Sequence, residues 1–189
     1  MMSPLQSPPH LSLEDFLQFP ETKPASEYID GKIYQKPMPK GKHSAIQTFL
    51  AATINQVGIP KRVARAFTEL RCTFGGRSIV PDVTVFSWQR IPVDADGEIE
   101  NEFELAPDWT IEILSPDQSS TRVINNILFC LNHGTELCWF IDPQERLIMT
   151  FRPGEQPEVK QNQDILPALS ILSDLQLSVQ DVFGWLSLN

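Results

Sequence analysis

The sequence predicts a single α/β domain in which helices pack on a mixed β-sheet. Three observations predict it. Stretches with apolar residues at helical spacing are interleaved with stretches that alternate or run as short β-forming segments. An Asp-Gly pair near residue 30 joins two such segments as a tight hairpin. From Trp109 to Ile141 the chain reads strand, helix, strand, the pattern of a right-handed crossover between parallel strands. This order is that of a sheet covered by helices, not of a bundle or a sandwich.

Taken in chain order, residues 1–10 form a Ser/Pro-rich, flexible leader, and residues 11–189 the domain. The leader has no basic cluster and no apolar run, so it is not a secretory signal. Ser12 and Asp15 suit the start of a short helix whose apolar face is Leu13, Phe16 and Leu17, ending before Pro20. Glu27 to Tyr34 is the hairpin, turning at Asp30-Gly31. Lys42 to Val57 is a helix, with Ile46, Phe49, Leu50, Thr53 and Val57 on one face and Gly58 and Pro60 as its stop. Arg62 to Phe74 reads as one long strand, and Gly75-Gly76 turns it back into a second, Ile79 to Phe86.

Val93 to Pro107 is an acidic surface loop. It is not a calcium loop: counted from Asp94, Gly97 stands fourth rather than sixth, and Leu105 takes the place of the bidentate Glu. Trp109 to Leu114 is a strand. Ser115-Pro116-Asp117 ends it and starts a helix over Thr121 to His133, with Ile124, Ile127, Leu128 and Leu131 apolar and Gly134 after its end. Strands follow at Leu137 to Ile141, Leu147 to Phe151 and near Val159, and a last helix near Val179 to Leu186.

Composition narrows the classes. Hydrophobic residues are 41% and charged residues 21%, as in an ordinary globular protein. No apolar run approaches the roughly 18 residues a membrane span needs, so a cytoplasmic location is the expectation. Cys72, Cys130 and Cys138 are odd in number and widely spaced, which fits small core residues rather than a zinc site. The net charge of -9 opposes nonspecific nucleic-acid binding, which relies on Lys and Arg against phosphates. A bound cation would offset acidic ligands locally. No P-loop, GxGxxG, GxSxG or HExxH occurs.

Two carboxylates break the apolar strands. Trp109, Ile111 and Ile113 share one face, so Glu112 projects from the other. Such a carboxylate is costly unless it is paired, at a sheet end or bound to a cation. Asp82 opens Val83-Thr84-Val85-Phe86, with Pro81 marking a bulge or strand edge. Two carboxylates on neighbouring strands suit Mg²⁺ or Mn²⁺. Glu69 and Glu27 are candidate third and fourth acids, or solvent-facing and ion-paired strand residues.

Pro81-Asp82 followed, after 29 intervening residues, by Glu112-Ile113-Leu114-Ser115-Pro116 resembles the PD and E elements of the PD-(D/E)XK nucleases. Glu27-Tyr28-Ile29-Asp30-Gly31, His43 at a helix start, Val80-Pro81-Asp82-Val83 and Trp139-Phe140-Ile141-Asp142-Pro143 narrow the resemblance to the Uma-type endonuclease family, over roughly residues 11 to 185. The resemblance implies a restriction-endonuclease-like core, a central mixed sheet flanked by helices. It also implies Mg²⁺- or Mn²⁺-dependent hydrolysis of DNA, with Asp82 and Glu112 as metal ligands. Glu69, Glu27 and His43 would assist them.

One departure matters. The superfamily's lysine, two residues after the acid, is here Leu114, and the next helix offers Arg122, Asn125 and Asn126 but no lysine. Lys32, Lys36 and Lys42 are the candidates to stand in for it. The alternative is a degenerate nuclease fold serving as a binding or assembly module.

His43 shares a helix face with Gln47. His133, in a last helical turn, suits a capping role. Asp142-Pro143 is a structural turn. Arg62, Arg65, Arg71 and Arg77 are either a DNA-contacting stripe or ion-pair partners of Glu69. An acidic chain of this size would grip a duplex better as a homodimer, with Phe183 and Trp185 as interface candidates.

Overall fold

The interleaved strands sort into two sheets. In this computed structural model, which describes residues 11–116 and 118–188, the element order begins α1 (Leu13–Leu17), β1 (Ser26–Ile29), β2 (Lys32–Gln35), α2 (Gly41–Lys61), β3 (Ala64–Thr68), β4 (Cys72–Phe74), β5 (Arg77–Ile79) and β6 (Val83–Ser87). It continues β7 (Trp109–Ile113), α3 (Ser120–Asn132), β8 (Leu137–Asp142), β9 (Leu147–Phe151), β10 (Glu158–Lys160) and α4 (Val179–Gly184). The six-stranded sheet runs β10-β9-β8-β7-β6-β3 and is mixed, because β7 and β8 are parallel and joined through α3. A four-stranded antiparallel sheet, β2-β1-β5-β4, stands beside it. The expected leader and the expected helix-start role of Asp117 lie outside the described residues.

Both expected long strands are cut in two, and each cut moves the chain between sheets. Arg62 to Phe74 breaks after Thr68, where Glu69 takes a φ of 50°, the left-handed region that strands do not use. Ile79 to Phe86 breaks at Val80-Pro81, where proline has no N–H to give a ladder. The two breaks lie together: the Glu69 N–H donates to the Asp82 carbonyl at 3.1 Å.

The hairpin turns at Asp30 and Gly31, with φ of 51° and 80°, the pair of positive values a tight two-residue turn needs. The helix expected to stop at Gly58 runs on to Lys61. Gly58 is there for packing. A Cβ on it would sit 2.5 Å from the Ala64 carbonyl oxygen, and Pro60 removes only one donor in the last turn.

One core fills the space between the six-stranded sheet and α2 and α4. It holds Ile46, Leu50 and Ile54 of α2, Val83 and Val85 of β6, Trp109, Ile111 and Ile113 of β7, and Val182 of α4. A second lies on the opposite face, where α3 and the small sheet pack, and includes Ile29, Ile79, Val123, Ile127, Cys130 and Phe140. All three cysteines are buried and free. The buried stripe of α3 is Val123, Asn126, Ile127, Phe129 and Cys130, while Leu128 is exposed. That stripe is rotated from the expected one, because a polar Asn stands among the apolar residues that face inward.

Phe49 is also exposed, stacked on Trp185 at 5.7 Å between centroids. Phe183 is buried, so it is unavailable to an interface. The expected loop from Val93 carries an anchor, Phe103, buried against Cys72 and Phe86. The arginines do not pair with Glu69. Arg71 forms a two-pronged contact with Glu21, and Arg77 forms one with Asp30. His133 ends α3, with its Nδ1 2.8 Å from the Phe129 carbonyl.

Candidate metal centre at the junction of the sheets

Asp82 stands one residue before β6, where the antiparallel register pairs Val83 with Ile111. Extending that register by one places Asp82 opposite Glu112, and facing residues of an antiparallel pair project to the same side. That side is the seam between the large sheet, α3 and the small sheet. Both side chains are nearly sealed, at 1% and 4% exposure. The Asp82 Oδ2 accepts the Ile113 N–H at 2.7 Å.

Lys36 brings the cation. It follows β2, its N–H still bonded to the Ala25 carbonyl at 2.9 Å. Its side chain crosses the seam, and Nζ donates to the Asp82 Oδ1 at 2.6 Å and to the Val80 carbonyl at 2.6 Å. The Glu112 Oε2 lies 3.7 Å from the same nitrogen. One ammonium therefore faces both carboxylates. Leu114, at the superfamily's lysine position, is half-buried beside the second core. Of the three stand-in lysines, the geometry brings Lys36 to the acids. Arg122 instead lies over the Tyr34 ring at 4.3 Å.

Glu27 completes the cluster from β1. Its Oε1 accepts the Val80 N–H at 2.9 Å, and its Oε2 lies 3.4 Å from the Asn126 Nδ2. His43, on the first turn of α2, points its Nε2 at the Asp82 Oδ1 from 3.4 Å, and its Nδ1 is 3.3 Å from the Ser115 Oγ. The Nε2 is buried without a formed hydrogen bond. Gln47, one turn on, donates to the Asp82 carbonyl at 2.9 Å. Glu69 stands apart at the mouth of the site, exposed, with Oε1 3.4 Å from the Gln47 Nε2.

The charges respond to burial and to one another. Burial opposes ionisation of Asp82, but Lys36 and then His43 outweigh it and hold the carboxyl down at about 2. Burial also opposes the Lys36 charge, yet Asp82, Glu112 and Glu27 together raise its pKa above the usual lysine value. Glu112 is pushed well up by desolvation, against the pull of Lys36, and Glu27 is raised for the same first reason. The seam thus holds more carboxylates than one ammonium neutralises.

Among the described residues no three His, Cys, Asp or Glu side chains converge as a ready ligand shell. The residues present still fit a hard divalent ion. Mg²⁺ takes one or two carboxylates and keeps several waters, and Lys36 already marks where Asp82 and Glu112 favour a cation.

Comparison with known proteins gives the family. The model of the Uma2 family, described as "Putative restriction endonuclease", matches residues 13–180. This chain belongs to the Uma2 family. Among solved structures, a crystal structure from Anabaena variabilis is similar at 57% identity with a TM-score of 0.92, covering 94% of this chain and 99% of that one. It is described as a putative nuclease belonging to DUF820. No curated protein matches the chain.

What the sequence left open in this Uma2 chain is which lysine reaches the acids, and the hairpin register carries the missing signal. Glu27 pairs with Tyr34. Lys36 lies two residues further, on the same side by period-two alternation, at the hairpin's open end. Lys32 lies by the turn.

Proposed function

We infer that this Uma2 chain is a Mg²⁺- or Mn²⁺-dependent DNA endonuclease centred on Asp82 and Glu112, with Lys36 as its lysine. The observation that carries the reading is the Lys36 ammonium set against both carboxylates. It replaces the positive charge missing at Leu114, and so weighs against the degenerate-module alternative.

In the reaction a water oxygen forms a bond to phosphorus, the bond from phosphorus to the leaving oxygen breaks, and a proton ends on that oxygen. A divalent ion bound here supplies Lewis acidity and a more acidic bound water. Asp82 and Glu112 would hold it, and Glu69, at the mouth, would orient water. Lys36, whose ammonium faces both carboxylates, would supply positive charge to a phosphate held there. That placement suits negative charge as it develops. The His43 Nε2, buried and without a formed bond, is free to hold a water or a phosphate oxygen. Glu27 keeps Val80, and through it the Pro81-Asp82 turn, in place.

The location is read as cytoplasmic from the three unpaired cysteines. Among the described residues no helix is long and apolar enough to cross a membrane. A homodimer would use the exposed Phe49 stacked on Trp185.

The test is cleavage of supercoiled and single-stranded DNA with Mg²⁺ or Mn²⁺, alongside calorimetric titration of Mn²⁺. Asp82→Ala should abolish the specific heat, and Glu112→Gln should lower cleavage by roughly 100-fold or more. Cleavage that survives both substitutions would remove the assignment.

A further inference from the structure

The acidic centre is bordered by an uneven distribution of lysines. Lys23, Lys32, Lys36, Lys40 and Lys42 are five of the chain's seven, and from Gly31 to Lys42 there is no acid at all. In a chain of net charge -9, this segment is a local reversal of sign. It is also stiff, since Pro37 and Pro39 fix the backbone between Lys36 and Lys40.

Two clefts run from the centre along this segment. One, of about 450 Å³, is lined by Lys23, Lys36, His43, Glu69 and Asp82. The other, of about 580 Å³, is lined by Lys40, Lys42, His43 and Asp142. His43 and Ser115 form the wall shared by both. Lys23 and Lys42 are exposed on opposite sides of that wall, and neither has an ion-pair or hydrogen-bond partner among the described residues.

Among the described residues, two carboxylates along the clefts are committed elsewhere. Glu21 is held by Arg71, and the Asp142 Oδ1 accepts the N–H groups of Gln144 and Glu145 at 2.9 and 3.1 Å. The first-turn N–H groups of α2 face the second cleft with no side-chain cap from Lys40, so they add donors to the lysines.

Resting on the nuclease reading, we propose that these clefts form a track for one unpaired nucleic-acid strand. Lys42 holds a backbone phosphate on one side of the cleavage point and Lys23 holds one on the other. One strand is specified by size and depth. Each cleft is of small-molecule dimensions, and Asp82 lies nearly sealed in the wall of the first. A single backbone enters such a space, whereas a duplex rests on its rim. The track also reconciles the acidic chain with a polyanionic substrate, because the cations needed are confined to the line of contact.

The experiment is equilibrium binding of a short fluorescent oligothymidylate by anisotropy. It uses the Glu112→Gln protein with Ca²⁺, over a range of KCl concentrations, so that binding is read without cleavage. Lys42→Ala and Lys23→Ala should each weaken binding several-fold. Each should also flatten the log K against log salt slope by about 0.7, the value for one phosphate contact on a single strand. Lys160→Ala, on β10, should change neither. An unchanged slope in the Lys23→Ala/Lys42→Ala double variant would overturn the track. So would absence of binding in the parent protein, or tighter binding of the matching duplex. Failure of the nuclease reading is separate: it shows as cleavage independent of Asp82 and leaves these slopes where they are.

Discussion

On one face of β7, Trp109, Ile111 and Ile113 join an apolar core in which the Trp109 and Trp139 rings meet edge-on at 4.7 Å. On the other face, Thr110 and Glu112 are buried just as deeply, but among Thr84, Asp82, Glu27, Lys36 and Asn126. Among the described residues, buried side-chain atoms without a hydrogen-bond partner include Thr84 Oγ1, Thr110 Oγ1 and Asn126 Oδ1 on this second side, against Trp109 Nε1 on the first. The apolar face is held by area removed from water, which needs no exact geometry. The polar seam is held by one ammonium among several carboxylates, which is specific and easily upset. Stability resides in the first face and the proposed chemistry in the second, a division that a single strand makes possible because its side chains alternate.

The sharpest way to break the comparison is Lys36→Met. It keeps the side chain's bulk and removes the cation that bridges Asp82 and Glu112. Loss of one partner from a buried ionic cluster costs about 3–5 kcal/mol, so urea unfolding with EDTA should show a loss of that order. Mn²⁺ should recover part of it, because a divalent ion replaces the missing charge. Equal stability with and without the ammonium would mean that the seam is held by its backbone contacts alone.

A smaller effect of opposite sign follows from Glu112. Its pKa is raised in the folded protein above the usual 4.5. The stability linked to it is therefore complete below that value and is lost as pH rises through the raised one. Asp82 runs the other way. Held at about 2, below its usual 3.8, it contributes stability above 3.8 that is lost as pH falls through 2. Metal-free protein should thus be most stable in mild acid and weaken towards neutrality. Glu112→Gln should remove the Glu112 share of the weakening, leaving that of Glu27, and raise the unfolding free energy at pH 8 by about 1 kcal/mol. A pH profile unchanged by this substitution would show that Glu112 ionises in the fold without penalty.

The two faces also differed in how plainly the sequence announced them. Strand and helix positions, the hairpin turn and the opposition of Asp82 to Glu112 are local matters of period and register, and they were readable. The cuts at Glu69 and Val80-Pro81 were not, because the strand-forming residues on both sides run through them. A left-handed φ at a glutamate is imposed by where the two halves must go. Lys36 could be named only as one of three lysines, since its approach to Asp82 spans 46 residues of chain and depends on the two sheets meeting. Asn126 illustrates the same limit. By sequence it was one of the polar residues the helix offers where a lysine is expected, and in the fold it is a partner of Glu27.

The smallest expected effect tests how far the polar character of the seam extends beyond its charges. Thr84 lies two residues from Asp82 along the chain and opposite Thr110 in the register, with its Oγ1 buried and unpartnered. An unpaired buried hydroxyl is a cost, and Thr84→Val removes it while keeping the branched shape a strand favours. Chemical denaturation should find the variant more stable by up to about 1 kcal/mol. The mirror substitution, Val85→Thr, places a hydroxyl in the apolar face and should cost about 1–3 kcal/mol. Opposite signs at adjacent residues would confine the polar requirement to the candidate metal centre. A loss at both positions would mean that Thr84 binds water continuous with the site, so that the wet region reaches two residues along β6 and solvates the Asp82 side of the centre from within.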